Sequence, residues 1–213
     1  MALEVIDRPV ARGGKPPDRV VEGPPRPPAP RGRFADNAVF GMAIAVFVEI
    51  MLFTGFISAF VIVRSGAPPG LWPPPDQPRL PVATTAFNTA LLLASGVALF
   101  LSHRAFPRRG ARAAARPMGI AIVLGGLFVL FQGVEWVRLI GQGLTLTSSQ
   151  LGGFFYLIVG AHALHAAAAL VALAVFWRAM REERLSRSAF GAVQLFWYFV
   201  VLMWPVIYWQ VYG

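Results

Sequence analysis

The sequence predicts an all-α integral membrane protein, a bundle of five transmembrane helices behind a disordered N-terminal tail. Three observations lead there. Hydrophobic residues make up 56% of the 213 and charged residues only 14%, with a mean hydropathy of +0.60; a soluble domain carries roughly a quarter charged residues. Five apolar stretches, near 38–63, 82–103, 118–140, 152–177 and 189–211, are each long enough for a ~30 Å hydrocarbon core, which takes ~20 helical residues. The Lys and Arg residues gather in the tail and in particular loops. This composition excludes a soluble enzyme domain, a coiled coil and a disordered regulator. The absence of cysteine excludes disulfides, a thiolate nucleophile and iron–sulfur or zinc-thiolate sites.

Residues 1–35 are read as a Pro/Arg-rich tail. The first 33 hold eight prolines, seven Lys/Arg and no apolar run, too little burial to offset the entropy of ordering. They also lack the apolar core of a cleavable signal peptide, so the first span is expected to act as its own insertion signal. Residues 36–213 form the membrane domain. Its connections are read as a proline-rich GAPPGLWPPPDQPRLP loop near 66–81, a basic FPRRGARAAARP loop at 106–117, a short GQGLTLTSS loop at 141–149, and RAMREERLSRS at 178–188. Spanning segments that lack ~10-residue alternation are helical, since only helices and closed barrels satisfy their backbones in lipid.

Lys/Arg placement sets the expected orientation. The tail carries seven; the second-to-third connection carries Arg104, Arg108, Arg109, Arg112 and Arg116; the fourth-to-fifth carries Arg178, Arg181, Arg184 and Arg187. The opposite side has Arg64, Arg79 and Arg138. Sixteen against three places the N-terminus in the cytoplasm and the C-terminus outside. The net charge of +9 is thus a topology signal facing anionic lipid, and no nucleic-acid partner is expected.

Ionisable residues inside spans are functional candidates because burying them is costly. Glu49 lies about halfway along the first span, Glu135 in the third, and His162 and His165 in the fourth. Glu49 and one of these histidines can meet at similar depth, which lowers the cost of burial; a neutral carboxyl bonded to a hydroxyl or carbonyl serves nearly as well. Two readings stand open, a proton relay and a satisfied polar contact that fixes packing. Glu135 is expected nearer the outer surface, within reach of water. His162 and His165, at i and i+3, are expected to point in nearly the same direction and so cannot flank a haem; His103, the remaining histidine, lies at the other end of its span. No metal site and no catalytic residue are expected.

Small residues four apart let membrane helices approach closely. Gly41/Ala45 and Gly55/Ala59 in the first span, and Ala163/Ala167 and Ala168/Ala172 in the fourth, have this spacing. The last span is crowded with aromatics, of which Trp197, Tyr198 and Trp204 are read as a packing surface for another helix and the outermost ones as an interfacial belt.

The motifs FVEIMLFTGF, LWPPP…FNTALLLASG, LGGLFVLFQGVEW, FFYLIVGAHALH and QLFWYFVVLMWPVIYWQVYG follow one another in order over about residues 36–213. In this the chain resembles subunit III of the haem–copper terminal oxidases, in a form with five helices where longer relatives have seven. The resemblance implies that Glu49 is the family's buried helix carboxylate, Glu135 its third-helix glutamate, His162 and His165 its histidine pair, and Asn88 the asparagine before the LLxAS run. It implies a non-catalytic subunit of a cytochrome c oxidase in a bacterial-type inner membrane. Such a subunit packs on subunit I beside subunit II, binds phospholipid, and supports proton uptake and durability in turnover. Haem and copper would belong to the catalytic partner, with cytochrome c or quinol served only indirectly. A quinol oxidase or nitric oxide reductase subunit, and from another class a small ion or substrate transporter, are the alternatives. Where the family has tyrosine-tryptophan-histidine-phenylalanine-valine-aspartate, this chain has Phe196-Trp197-Tyr198-Phe199-Val200-Val201. A polar network joining the last helix to the rest is therefore not expected.

Overall fold

The computed structural model describes residues 33–212 apart from 69, 75 and 76, with side chains placed from residue 37 onward. The tail expected over residues 1–35 lies outside the described residues up to 32. The described chain is five helices: α1 (Arg33–Ser65), α2 (Val82–Arg109), α3 (Ala111–Gly141), α4 (Gln150–Arg181) and α5 (Arg187–Tyr212). All five are long and apolar enough to cross a membrane.

The basic 106–117 segment is not the loop its charge suggests. α2 runs through Arg109 and α3 begins at Ala111, so Gly110 alone makes the corner. Arginine and alanine are strong helix formers, and the run ARAAAR extends α3 by nearly two turns beyond the apolar span. Gly110 has φ 82° and ψ 174°, a backbone region essentially confined to glycine. Pro107 and Pro117 sit inside the two helices. Membrane helices tolerate interior prolines, and the corner is tied to its surroundings by Ser102 Oγ, which donates to the Ala114 carbonyl at 2.8 Å, and by Trp177 Nε1, which donates to that of Ala115 at 2.9 Å.

The other ends are set by capping. α3 closes in a Schellman turn on Gly143 (φ 93°), with Leu144 N–H donating to Leu139 O and Gly143 N–H to Ile140 O, both at 3.0 Å. The buried pair Leu139 and Leu144 supplies the apolar contact that accompanies this motif. α4 opens on Ser149, whose hydroxyl accepts from Gly152 N–H at 3.0 Å. It closes in a second Schellman turn, with Glu183 at φ 57° and Arg184 N–H on Ala179 O at 2.9 Å.

α5 carries the largest buried side chains, Trp197 and Trp204. Its packing against α2 and α3 is a matter of glycine and tryptophan: a Cβ on Gly125 would lie 2.6 Å from the Trp197 ring, and one on Gly96 would lie 3.0 Å from Val201 Cγ1. Lipid offers no hydrophobic incentive for helices to associate, so such close contacts and interhelical hydrogen bonds hold the bundle. The outward faces are apolar, as lipid or a protein partner requires; on α1, Phe40, Phe47, Met51 and Ile62 are all more than 60% exposed.

Candidate functional site: polar groups inside the bundle

Glu49 on α1 and His165 on α4 meet, with Oε2 and Nε2 3.1 Å apart. The approach is that of an ion pair and not of an aligned hydrogen bond. His165 Nδ1 lies 2.7 Å from the Ala161 carbonyl oxygen. A carbonyl only accepts, so Nδ1 carries its hydrogen and Nε2 faces the carboxyl. An attractive contact then requires one more proton on the pair, either on Glu49 or on the imidazole. The pair lines a groove of about 400 Å³ with Met42, Ala45, Leu164 and Phe196, and both side chains are partly exposed, His165 at 18% and Glu49 at 29%.

His162 does not join them. Three residues of helix rotate a side chain by about 300°, so the two rings diverge by ~60° and meet different neighbours, contrary to the shared direction expected from the sequence. His162 is 1% exposed. Its ring lies against Trp204 at 5.1 Å between centroids, edge-on to Phe53 at 6.3 Å and Phe128 at 6.4 Å. Neither of its nitrogens finds a hydrogen-bond partner among the described residues. Phe53 packs on both histidines, and no hydrogen bond connects them. A largely apolar cavity of about 160 Å³ borders His162, Gln132, Trp136 and Trp204.

A second polar cluster surrounds Glu135, which is buried at 7% exposure rather than open to water. The first turn of α2 lies against it. Thr84 and Thr85 hydroxyls both donate to its carboxylate, the latter at 3.0 Å. One turn deeper, Asn88 Nδ2 donates to the Phe128 carbonyl and to Gln132 Oε1, each at 3.1 Å, and Gln132 Nε2 donates to the Tyr212 hydroxyl at 3.1 Å. α2, α3 and α5 are thereby joined at one end.

The last helix is thus bonded to its neighbours, which corrects the expectation of no such network. Trp204 Nε1 donates to Thr89 Oγ1 at 2.8 Å, and Trp197 Nε1 donates to Ser95 Oγ at 3.1 Å; that hydroxyl in turn donates to the Ala121 carbonyl at 2.9 Å. Gln194 Oε1 meets His103 Nδ1 at 2.9 Å. Tyr198 is half-buried and its hydroxyl has no partner among the described residues. Val201 packs on Gly96.

Among the described residues, Gly55 and Ala59 pack on no other helix. Both are exposed, and a Cβ on Gly55 would meet nothing within 4 Å. Trp197 and Trp204 are buried and pack on α3, against Gly125 and Phe128 respectively. Sequence reasoning missed Thr84, Thr85, Ser95, Gln132, Gln194 and Tyr212. The available signal was neutral polar residues at helical spacing inside apolar runs, as in Thr85, Asn88 and Thr89. Among the described residues, no three His, Asp or Glu side chains converge. What the arrangement can do is hold a proton between Glu49 and His165, beside an outward groove, on a rigid scaffold.

Over residues 34–213 the chain matches the family described as cytochrome c oxidase subunit III. The cytochrome c oxidase subunit 3 of Synechocystis sp. is 29% identical over 181 residues, covering 83% of this chain and 76% of the relative. Those of Bos taurus and Sus scrofa are each 30% identical over 180 residues, covering 81% of this chain and 68% of the relative.

Proposed function

Since this chain belongs to the cytochrome c oxidase subunit III family, a subunit of a haem–copper oxidase, we propose that it is a non-catalytic partner packed on the catalytic subunit, binding phospholipid and supporting proton uptake and durability in turnover. The observation that carries this reading is the extent of the match. It takes in the five-helix bundle, and with it the stretches that hold Glu49, Asn88, Glu135, His162 and His165. The exposed apolar faces, α1 above all, supply surface for subunits I and II and for lipid. Haem and copper belong to the catalytic partner in this reading, and electrons from cytochrome c pass through other subunits. The membrane is a bacterial-type inner membrane, with the arginine-rich helix ends in the cytoplasm.

Glu49 and His165 serve here as a partly exposed polar contact whose shared proton is exchangeable through the groove, rather than as an obligatory relay. The lack of any hydrogen bond from His165 to His162 supports this choice. Affinity purification of the tagged chain from its native membrane tests the whole reading. Co-purification of haem absorbance, copper and two larger subunits, with reduced cytochrome c oxidised faster than quinol, is the expected result. A chain isolated intact without haem would contradict it.

A further inference from the structure

The helical course of residues 106–117 fixes five arginines around one groove. Arg104, Arg108 and Arg109 at the end of α2, and Arg112 and Arg116 at the start of α3, line a concavity of about 920 Å³ with Leu101 at its base. Among the described residues the one carboxylate paired with any of them is Glu183, 2.8 Å from Arg112. Both partners of that pair are more than half exposed, and such surface pairs hold little energy. Below the arginines the same helix faces turn apolar. Val97, Leu101, Arg104 and Arg108 follow at three- and four-residue spacing on α2, and Arg112, Arg116, Ile120 and Val123 do so on α3, which puts each set on one face. Val97, Leu101, Ile120 and Val123 are all more than half exposed.

We propose that this groove binds an anionic phospholipid, its phosphate held by the guanidinium groups and its acyl chains lying along the two apolar rows. Guanidinium forks suit phosphate oxygens, and a basic pocket between spanning helices at the membrane surface is the physical form of an anionic head-group site. A free phosphate shares the polar half of this chemistry but has no use for the apolar half. The proposal deepens the phospholipid part of the function above while standing on separate observations. Its readout is bound lipid and not oxygen consumption, so either can fail alone.

The test is native mass spectrometry of the delipidated oxidase complex, titrated with phosphatidylglycerol or phosphatidylcholine. The intact complex is expected to retain phosphatidylglycerol preferentially. Arg108→Gln with Arg116→Gln should weaken that retention about tenfold or more, as expected for two phosphate-facing cations. Lysine at both positions should retain more of it than glutamine. Arg178→Gln with Arg187→Gln removes equal charge from the same end outside the groove and should leave retention within about twofold. Equal loss in both glutamine pairs would reduce the effect to a diffuse basic field and overturn the site. Displacement of the lipid by equimolar inorganic phosphate or pyrophosphate would overturn the lipid assignment. Should the glutamine pair fail to assemble, the native complex decides alone: no preference for phosphatidylglycerol over phosphatidylcholine overturns the proposal.

Discussion

At the scale of single residues, two contrasts separate electrostatics from packing. Glu49→Gln preserves the size of the carboxyl and its capacity to bond His165, so assembly and turnover should be largely retained. Glu49→Leu strips the polar partner from His165 Nε2, 3.1 Å away, and should weaken assembly by about 1–3 kcal/mol. The yield of intact complex through detergent extraction reads this directly, and loss of proton-coupled turnover in an intact Gln variant would restore the relay. Gly125 and its neighbour Gly126 give the packing contrast. An added methyl at Gly125 meets the Trp197 ring at 2.6 Å, while at Gly126 it meets nothing. Gly125→Ala should lower stability by about 1–3 kcal/mol through overpacking, and Gly126→Ala should be close to neutral. Equal melting temperatures for the two variants would contradict this account of α5 packing. Single residues also mark how far the sequence could be read. Glu49 and His165 stood out because charge is rare in a span, whereas Ser95 and Gln132 are ordinary polar residues until the fold gives them Trp197 and Tyr212 as partners. Nothing in the pattern of Gly125 told it apart from Gly55; one lies beneath a tryptophan and the other faces outward.

Among the elements, the α2–α3 corner is where local physics overrode the obvious reading. Five apolar runs made five helices legible, since length and hydropathy are additive along the chain. Charge suggested a loop at 106–117, but arginine and alanine propagate a helix as readily as leucine does, and a helix end leaving the hydrocarbon is free to carry them. The turn therefore contracts to one residue. Gly110→Ala must place a Cβ in a backbone region that side chains avoid, at a cost of about 1–3 kcal/mol. Lower thermal stability of the purified complex, with faster proteolysis after Arg109, is the expected outcome. An unchanged melting curve would mean that the corner does not depend on glycine. The hydrogen bonds of α5 make a similar point. Neutral groups bridge the helix to α2, the indole N–H groups of Trp197 and Trp204 donating to Ser95 and Thr89 and Gln194 Oε1 accepting from His103 Nδ1.

For the whole molecule, orientation and role are the testable claims. Arg112 and Glu183 pair at one end of the bundle, and Tyr156 bonds the Leu144 carbonyl at the other. The positive-inside rule puts the first of these ends in the cytoplasm. The natural chain has no cysteine, so Arg184→Cys should react with an impermeant thiol reagent only from the cytoplasmic side and Leu146→Cys only from the outer side. The reverse pattern would invert the topology and move the arginine groove to the wrong leaflet.

The central claim is that this chain supports an oxidase without performing its chemistry, and removing the chain tests that most directly. The depleted complex would expose a face of the catalytic subunit shaped for close-packed helices, which lipid fills imperfectly. Oxygen consumption should be followed for intact and depleted complexes over many turnovers, at neutral and alkaline pH. The account predicts that the depleted complex keeps its haems, copper and initial rate at neutral pH, then loses activity with successive turnovers and slows more steeply at alkaline pH. Complete loss of oxygen reduction with the metal centres still in place would contradict it.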